Sequence, residues 1–213
     1  KFAQAPENAR IRRKTPAPLV IAFHGYSSKP SDIEFSSRWN DLADKEGFIV
    51  VYPKGTGSPT YWRTSATTYG PQDPQLDVQF VTDLIDKLSQ EHNIDPARIY
   101  VNGMSMGGGM AHVAVCFLAD RIAAFGGVAG ASAFPSGQCQ PSRPVPFIAF
   151  HGTADPIIPL EGSAMAQYNI TYPSIPRFVQ KWAESNQCKQ TSTIDLNDEV
   201  EETRYTDCAQ NAD

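Results

Sequence analysis

The chain has no run of ~18 apolar residues, which excludes a single-helix membrane span. Its four cysteines, Cys116, Cys139, Cys188 and Cys208, form no CxxC pair, which argues against a zinc site. Basic runs are nearly missing too. Apart from Arg10 to Lys14 there is none, and the formal net charge is −5, so nucleic acid is not an expected partner. No internal repeat and no low-complexity tract occur. Histidine is scarce, with only His24, His92, His112 and His151. The first residue is Lys1 rather than Met, which reads as a processed or trimmed N-terminus.

What is present suits one globular domain spanning 1–213. The length of 213 residues supports a substantial core, and 41% of residues are apolar. Leu19 to Phe23, Phe48 to Tyr52, Ile99 to Val101, Ala123 to Val128 and Val145 to Phe150 are short apolar runs with the length and type of buried strands. Trp39, Leu42 and Ala43 suggest a helix ending near Gly47. Leu76, Phe80, Leu84, Ile85 and Leu88 follow helical spacing, and Arg177 to Ser185 reads as a further helix. Asp95-Pro96 punctuates the chain before Ile99. Strands alternating with helices predict an α/β fold with a mainly parallel central sheet and helices on both faces. Residues 53 to 74 form a long Gly-, Pro-, Ser- and Thr-rich loop, a length that often carries function.

Gly103-Met104-Ser105-Met106-Gly107 matches G-x-S-x-G between an apolar strand and a helix-compatible run, the setting of a nucleophile elbow. The turn is tight, and it lifts a hydroxyl to a helix N-terminus that favours developing negative charge. A turn that merely packs a helix on a sheet would look similar. His24-Gly25-Tyr26 ends the first strand, so the backbone amides of Tyr26 and Met106 are the expected oxyanion hole. The His24 ring is expected to shape that loop rather than move protons. Asp155, in His151-Gly152-Thr153-Ala154-Asp155, follows the nucleophile in chain order and is the candidate acid. An Asx turn before Pro156 is the structural alternative. Asp73, Asp77 and Asp83 fit a helix start or the surface better. Tyr61, Trp62 and Tyr69 could line a substrate pocket or cap the core.

A triad requires a histidine beyond Asp155, and the chain has none. The base is therefore expected just beyond Asp213, together with a further strand that would cover the sheet edge. At the C-terminal end, Thr191 to Leu196 and Val200 to Tyr205 read as a hairpin. With Leu196 facing Val200, the straight ladder also sets Cys188 opposite Cys208, where Cβ atoms ~5 Å apart are near disulfide reach. Cys116 with Cys139 is the remaining pair. Disulfides favour an extracellular or periplasmic location.

Together, His24-Gly25-Tyr26, the Trp39 to Pro53 segment, Asp95 to Tyr100, Gly103 to Gly108 and His151 to Asp155 resemble the polyhydroxybutyrate depolymerase and feruloyl esterase group. That group includes the LpqC-like secreted esterases and carbohydrate esterase family 1, and the resemblance runs over roughly residues 17 to 208. It implies an α/β-hydrolase fold and a secreted serine esterase with no cofactor and no metal. Ser105 and Asp155 map onto nucleophile and acid, Tyr26 and Met106 onto the oxyanion positions, and Cys188 and Cys208 onto a cysteine pair. The group's His-Thr-Trp-Pro segment is absent, and its opening strands are not evident in residues 1 to 16. The expected chemistry is two-step acyl transfer on a small-molecule or polymeric ester, either a feruloyl or acetyl ester of plant polysaccharide or a polyhydroxyalkanoate. Alternatives are a catalytically inactive binding module and a serine peptidase on the same scaffold.

Overall fold

The computed structural model describes residues 15–64, 73–131, 139–165 and 170–213. Tyr69 therefore lies outside the described residues, as do all of residues 65 to 72. A five-stranded parallel sheet forms the centre, in the order β2-β1-β3-β4-β5. Its strands are β1 (Ala17–Phe23), β2 (Ile49–Val51), β3 (Ile94–Met104), β4 (Ala124–Val128) and β5 (Phe147–Phe150). The helices are α1 (Pro30–Ser37), α2 (Trp39–Glu46), α3 (Gln75–Glu91), α4 (Met106–Leu118) and α5 (Ile175–Ser185). Two small antiparallel pairs stand apart: β6 (Ser163–Met165) with β7 (Ile170–Tyr172), and β8 (Gln190–Asn197) with β9 (Val200–Thr206).

Alternation along β1 shows how the layers divide. Leu19, Ile21 and Phe23 enter a large core with α3, α4 and Trp182 of α5, whereas Val20 and Ala22 enter a smaller one with Ile33 of α1 and Ala43 of α2. Successive strand side chains point to opposite faces, so one apolar run serves both layers. Helices thus cover both faces, and the parallel α/β expectation describes the molecule. α2 ends where Gly47 takes φ 81°, a left-handed cap that glycine adopts without strain.

Several element limits differ from the sequence reading. Asp95-Pro96 does not interrupt the strand. β3 runs through it, and an irregularity in the β1–β3 register between Ala17 and Leu19 absorbs the mismatch. On α3 the buried stripe is Val78, Val81, Leu84, Ile85 and Leu88, while Leu76 is exposed at the helix start. Asp77 is buried rather than on the surface, because it binds Arg63. In the hairpin, Thr191 pairs with Tyr205 and Ile194 with Glu202, but the register shifts between Asp195 and Asn197, so that Asn197 meets Val200. The outer ladder keeps the straight register, and Cys188 is bonded to Cys208. Cys116 is bonded to Cys139.

Candidate active site

β3 delivers the chain to Ser105, which has φ 54° and ψ −122° and sits at the N-terminus of α4. An L residue adopts such a backbone only when its surroundings enforce it. Three anchors do so. Ser105 N–H donates to the Val128 carbonyl at 2.9 Å, and the Ser105 carbonyl accepts from Gly108 and Ala131, each at 2.9 Å. Two glycines make the turn possible. A Cβ on Gly107 would overlap the Phe23 carbonyl and come within 2.8 Å of the His24 oxygen, and a Cβ on Gly103 would overlap the Gly107 backbone.

The end of β1 lies against this elbow. An atom at the Cβ position of Gly25 would be 3.5 Å from Ser105 Cβ and 4.0 Å from its Oγ, so the Gly25–Tyr26 backbone adjoins the nucleophile. His24 is wholly buried. Its Nε2 accepts from Gly55 N–H at 3.0 Å, which leaves the proton on Nδ1, and Nδ1 donates to the Gly25 carbonyl at 2.7 Å. Burial pushes its pKa down, favouring the neutral ring this pattern requires.

Asp155 follows β5. Its Oδ1 accepts from Ile157 N–H at 2.9 Å and Ile158 N–H at 3.0 Å, and these two amides hold its pKa below the ordinary value. The Asx turn and the ionised carboxylate are thus one arrangement: Oδ1 serves the turn, and Oδ2 lies 3.7 Å from His151 Nε2. That Nε2 is committed to the Ile158 carbonyl at 2.7 Å.

The other imidazoles are also engaged away from Ser105. His112 is buried within α4 among Phe125, Phe178 and Trp182, with ring centroids 4.8 Å from Phe178. It lies close to the sulfurs of Cys116 and Cys139, but those sulfurs are bonded to each other, which makes the group a cystine beside an imidazole. His92 caps the end of α3.

Trp62 is not a pocket wall. It is 1% exposed, packs edge-on against Phe23 at 5.1 Å, and donates its indole N–H to the His24 carbonyl at 2.9 Å. Tyr61 is buried too, paired with Thr56 through two backbone hydrogen bonds. Core capping wins over pocket lining because the loop folds inward over the end of β1. The sequence reading missed the ion pair that anchors this loop, Arg63 Nη1 to Asp77 Oδ1 at 2.7 Å. The available signal was the position of Asp77 on the buried stripe of α3.

A parallel sheet crossed by a strained serine elbow at a helix N-terminus defines an α/β-hydrolase. The chain belongs to the Esterase PHB depolymerase family, which it matches over residues 4–177. It is 37% identical over 142 residues to the bifunctional acetylxylan esterase/xylanase XynS20E of Neocallimastix patriciarum, covering 67% of this chain and 20% of that protein. Feruloyl esterase B of Piromyces equi is 36% identical over 183 residues, covering 81% of this chain and 33% of that protein. The chain therefore spans a third or less of the length of these two relatives. Among solved structures, acetyl xylan esterase from Aspergillus awamori superposes with a TM-score of 0.62 at 16% identity, covering 92% of this chain and 84% of that one, a likeness of fold.

Proposed function

We propose that this protein is a serine esterase that cleaves carboxylic esters through an acyl-enzyme. The observation that carries the reading is the backbone of Ser105, held at positive φ at the head of α4 and beside Gly25. In the first step Ser105 Oγ attacks the ester carbonyl carbon and loses its proton to a base. The oxygen that gains charge lies against the amides of Tyr26 and Met106, and the alcohol leaves with a proton as the acyl-serine forms. Water then repeats the sequence and releases the acid. Asp155, ionised and fixed by its turn, orients the base and stabilises its cation.

The described contacts commit His24 to Gly25 and Gly55, and His151 to Ile158, while His112 is buried among aromatic rings. The base that Ser105 requires is none of these three rings as they are bonded. The substrates we favour are acetyl or feruloyl esters of plant polysaccharide, because two relatives at 37% and 36% identity carry those names. Two disulfides support an oxidising, extracellular or periplasmic location. Among the described residues no helix is long and apolar enough to cross a membrane.

The test is hydrolysis of p-nitrophenyl acetate, acetylxylan and methyl ferulate by the full-length protein, with a peptide p-nitroanilide beside them. Ester turnover that is lost in Ser105→Ala supports the proposal. Turnover of the anilide alone makes it a peptidase. Binding of xylan with no turnover makes it an inactive binding module.

A further inference from the structure

The loop from Tyr52 to Thr64 turns back over the end of β1 and bonds to the turn beside Ser105 at four points. Gly55 N–H reaches His24 Nε2 at 3.0 Å, and the Trp62 indole N–H reaches the His24 carbonyl at 2.9 Å. Ser27 N–H donates to the Thr60 carbonyl at 2.8 Å, and the Thr60 hydroxyl donates to the Ser28 carbonyl at 2.5 Å. The loop is fastened in turn at both ends of its inner stretch. Thr56 and Tyr61 exchange two backbone bonds, and the Arg63–Asp77 pair ties the far side to α3. Trp62 N–H also lies 3.4 Å from Met106 Sδ, so one residue contacts both proposed oxyanion segments.

The geometry gives these bonds a specific consequence. The Gly25 carbonyl accepts from His24 Nδ1 at 2.7 Å and from Ser28 N–H at 3.3 Å. That carbonyl belongs to the same planar peptide as Tyr26 N–H, and in a trans peptide the two point in opposite directions. Fixing the carbonyl therefore aims the amide. Gly55 N–H at Nε2 favours the Nδ1–H tautomer that donates to this carbonyl, and the Trp62 indole N–H holds the His24 carbonyl on the other side. A donor aimed before the charge develops requires no reorganisation during the reaction.

We propose that Trp62, acting through His24, is a positioning residue that aims the Tyr26 amide at the substrate oxygen. The inference rests on the esterase reading above. Trp62 itself touches no reacting atom. Its indole N–H sets the His24 backbone, and its ring packs edge-on against Phe23.

The test compares wild type with Trp62→Phe, which keeps an aromatic ring and removes the N–H, and with Thr60→Val, which cuts a second tie. Each is assayed as full-length protein on p-nitrophenyl acetate and on its thiono analogue, whose sulfur fits an oxygen-shaped donor pair poorly. Hydrogen exchange at residues 24 to 28 and thermal melting are recorded alongside. The expected result for Trp62→Phe is a kcat lower by about tenfold or more at unchanged KM. The oxo-over-thiono preference narrows, and the Ser27 and Ser28 amides exchange faster. Thr60→Val shifts the same readouts in the same direction by less. A folded Trp62→Phe protein with wild-type kcat, or one that loses equally on both substrates, overturns the proposal. A wild-type protein with no esterase activity overturns the function instead. In that case unchanged exchange at residues 24 to 28 shows that the loop does not order the turn either.

Discussion

Around β1 and β3 both faces of the sheet are covered, by α1 and α2 on one side and by α3 and α4 on the other. Around β4 and β5 the described residues pack mainly on the α4 and α5 side. Gly126 and Val128 of β4 lie in register with Ile148 and Phe150 of β5, and on that row Val128, Ile148 and Phe150 are 49%, 56% and 58% exposed. Trp39, whose indole reaches Asn102 at 3.3 Å, marks the border of the covered part. The two halves hold the two proposed catalytic groups by different means. Ser105 is fixed by close backbone packing that a single methyl group would disrupt. Asp155 is fixed by two amide hydrogen bonds in a surface turn. The nucleophile thus depends on core burial, and the acid depends on local hydrogen bonding.

The largest effect should come from Ser105→Ala, with kcat lower by about ten-thousandfold or more and an unchanged melting curve. Activity within tenfold of the parent would remove the elbow from the catalytic picture. Asp155→Asn should lower kcat by roughly a thousandfold to ten-thousandfold, since a neutral amide cannot stabilise an imidazolium. It should barely change the melting temperature, because Asn keeps an oxygen for the Ile157 and Ile158 amides. Asp155→Ala should lose the activity and also melt earlier. Equal melting of the two variants would show that the acid turn does not rely on those bonds.

Two phenylalanines test the two faces of the β4–β5 half directly. Phe125, 3% exposed on the covered face, should cost about 3–5 kcal/mol when cut to alanine, and Phe150 on the bare face under ~1 kcal/mol. Urea unfolding of both variants measures this, and similar costs would mean that the bare row is covered in solution. A smaller effect concerns His112, whose pKa burial pushes down to about 4 from 6.5. Its folded pKa is lowered, so below pH 6.5 the unfolded chain takes up the proton first. Stability is lost as pH falls from about 6.5 to about 4, by roughly 3 kcal/mol in all. His112→Met should flatten that part of the pH–stability curve, and an unchanged slope would assign it to other groups.

The parallel sheet and the elbow were legible because both are written in local pattern. Short apolar runs made the strands, and G-x-S-x-G between strand and helix made the turn. The hairpin ladder was legible through residue spacing alone, apart from the shift near Asn197. The inward fold of Trp62 was not, because nothing in Tyr61-Trp62-Arg63 distinguishes an aromatic that meets a substrate from one that meets Phe23. That choice depends on Arg63 reaching Asp77, two residues 14 apart that only tertiary structure joins. The run of β3 through Asp95-Pro96 was hidden for a similar reason. A proline reads locally as a break, while its pairing with β1 is a long-range matter.

The backbone of Ser105 also sets a limit on how this protein can change. Holding a serine at φ 54° costs on the order of 1–3 kcal/mol that glycine would not incur. A library of variants selected only for heat resistance should therefore drift toward Ser105→Gly, which gains stability by discarding the hydroxyl. Selection for turnover must hold the serine in place against that gradient, so the position would record which of the two pressures a lineage has experienced.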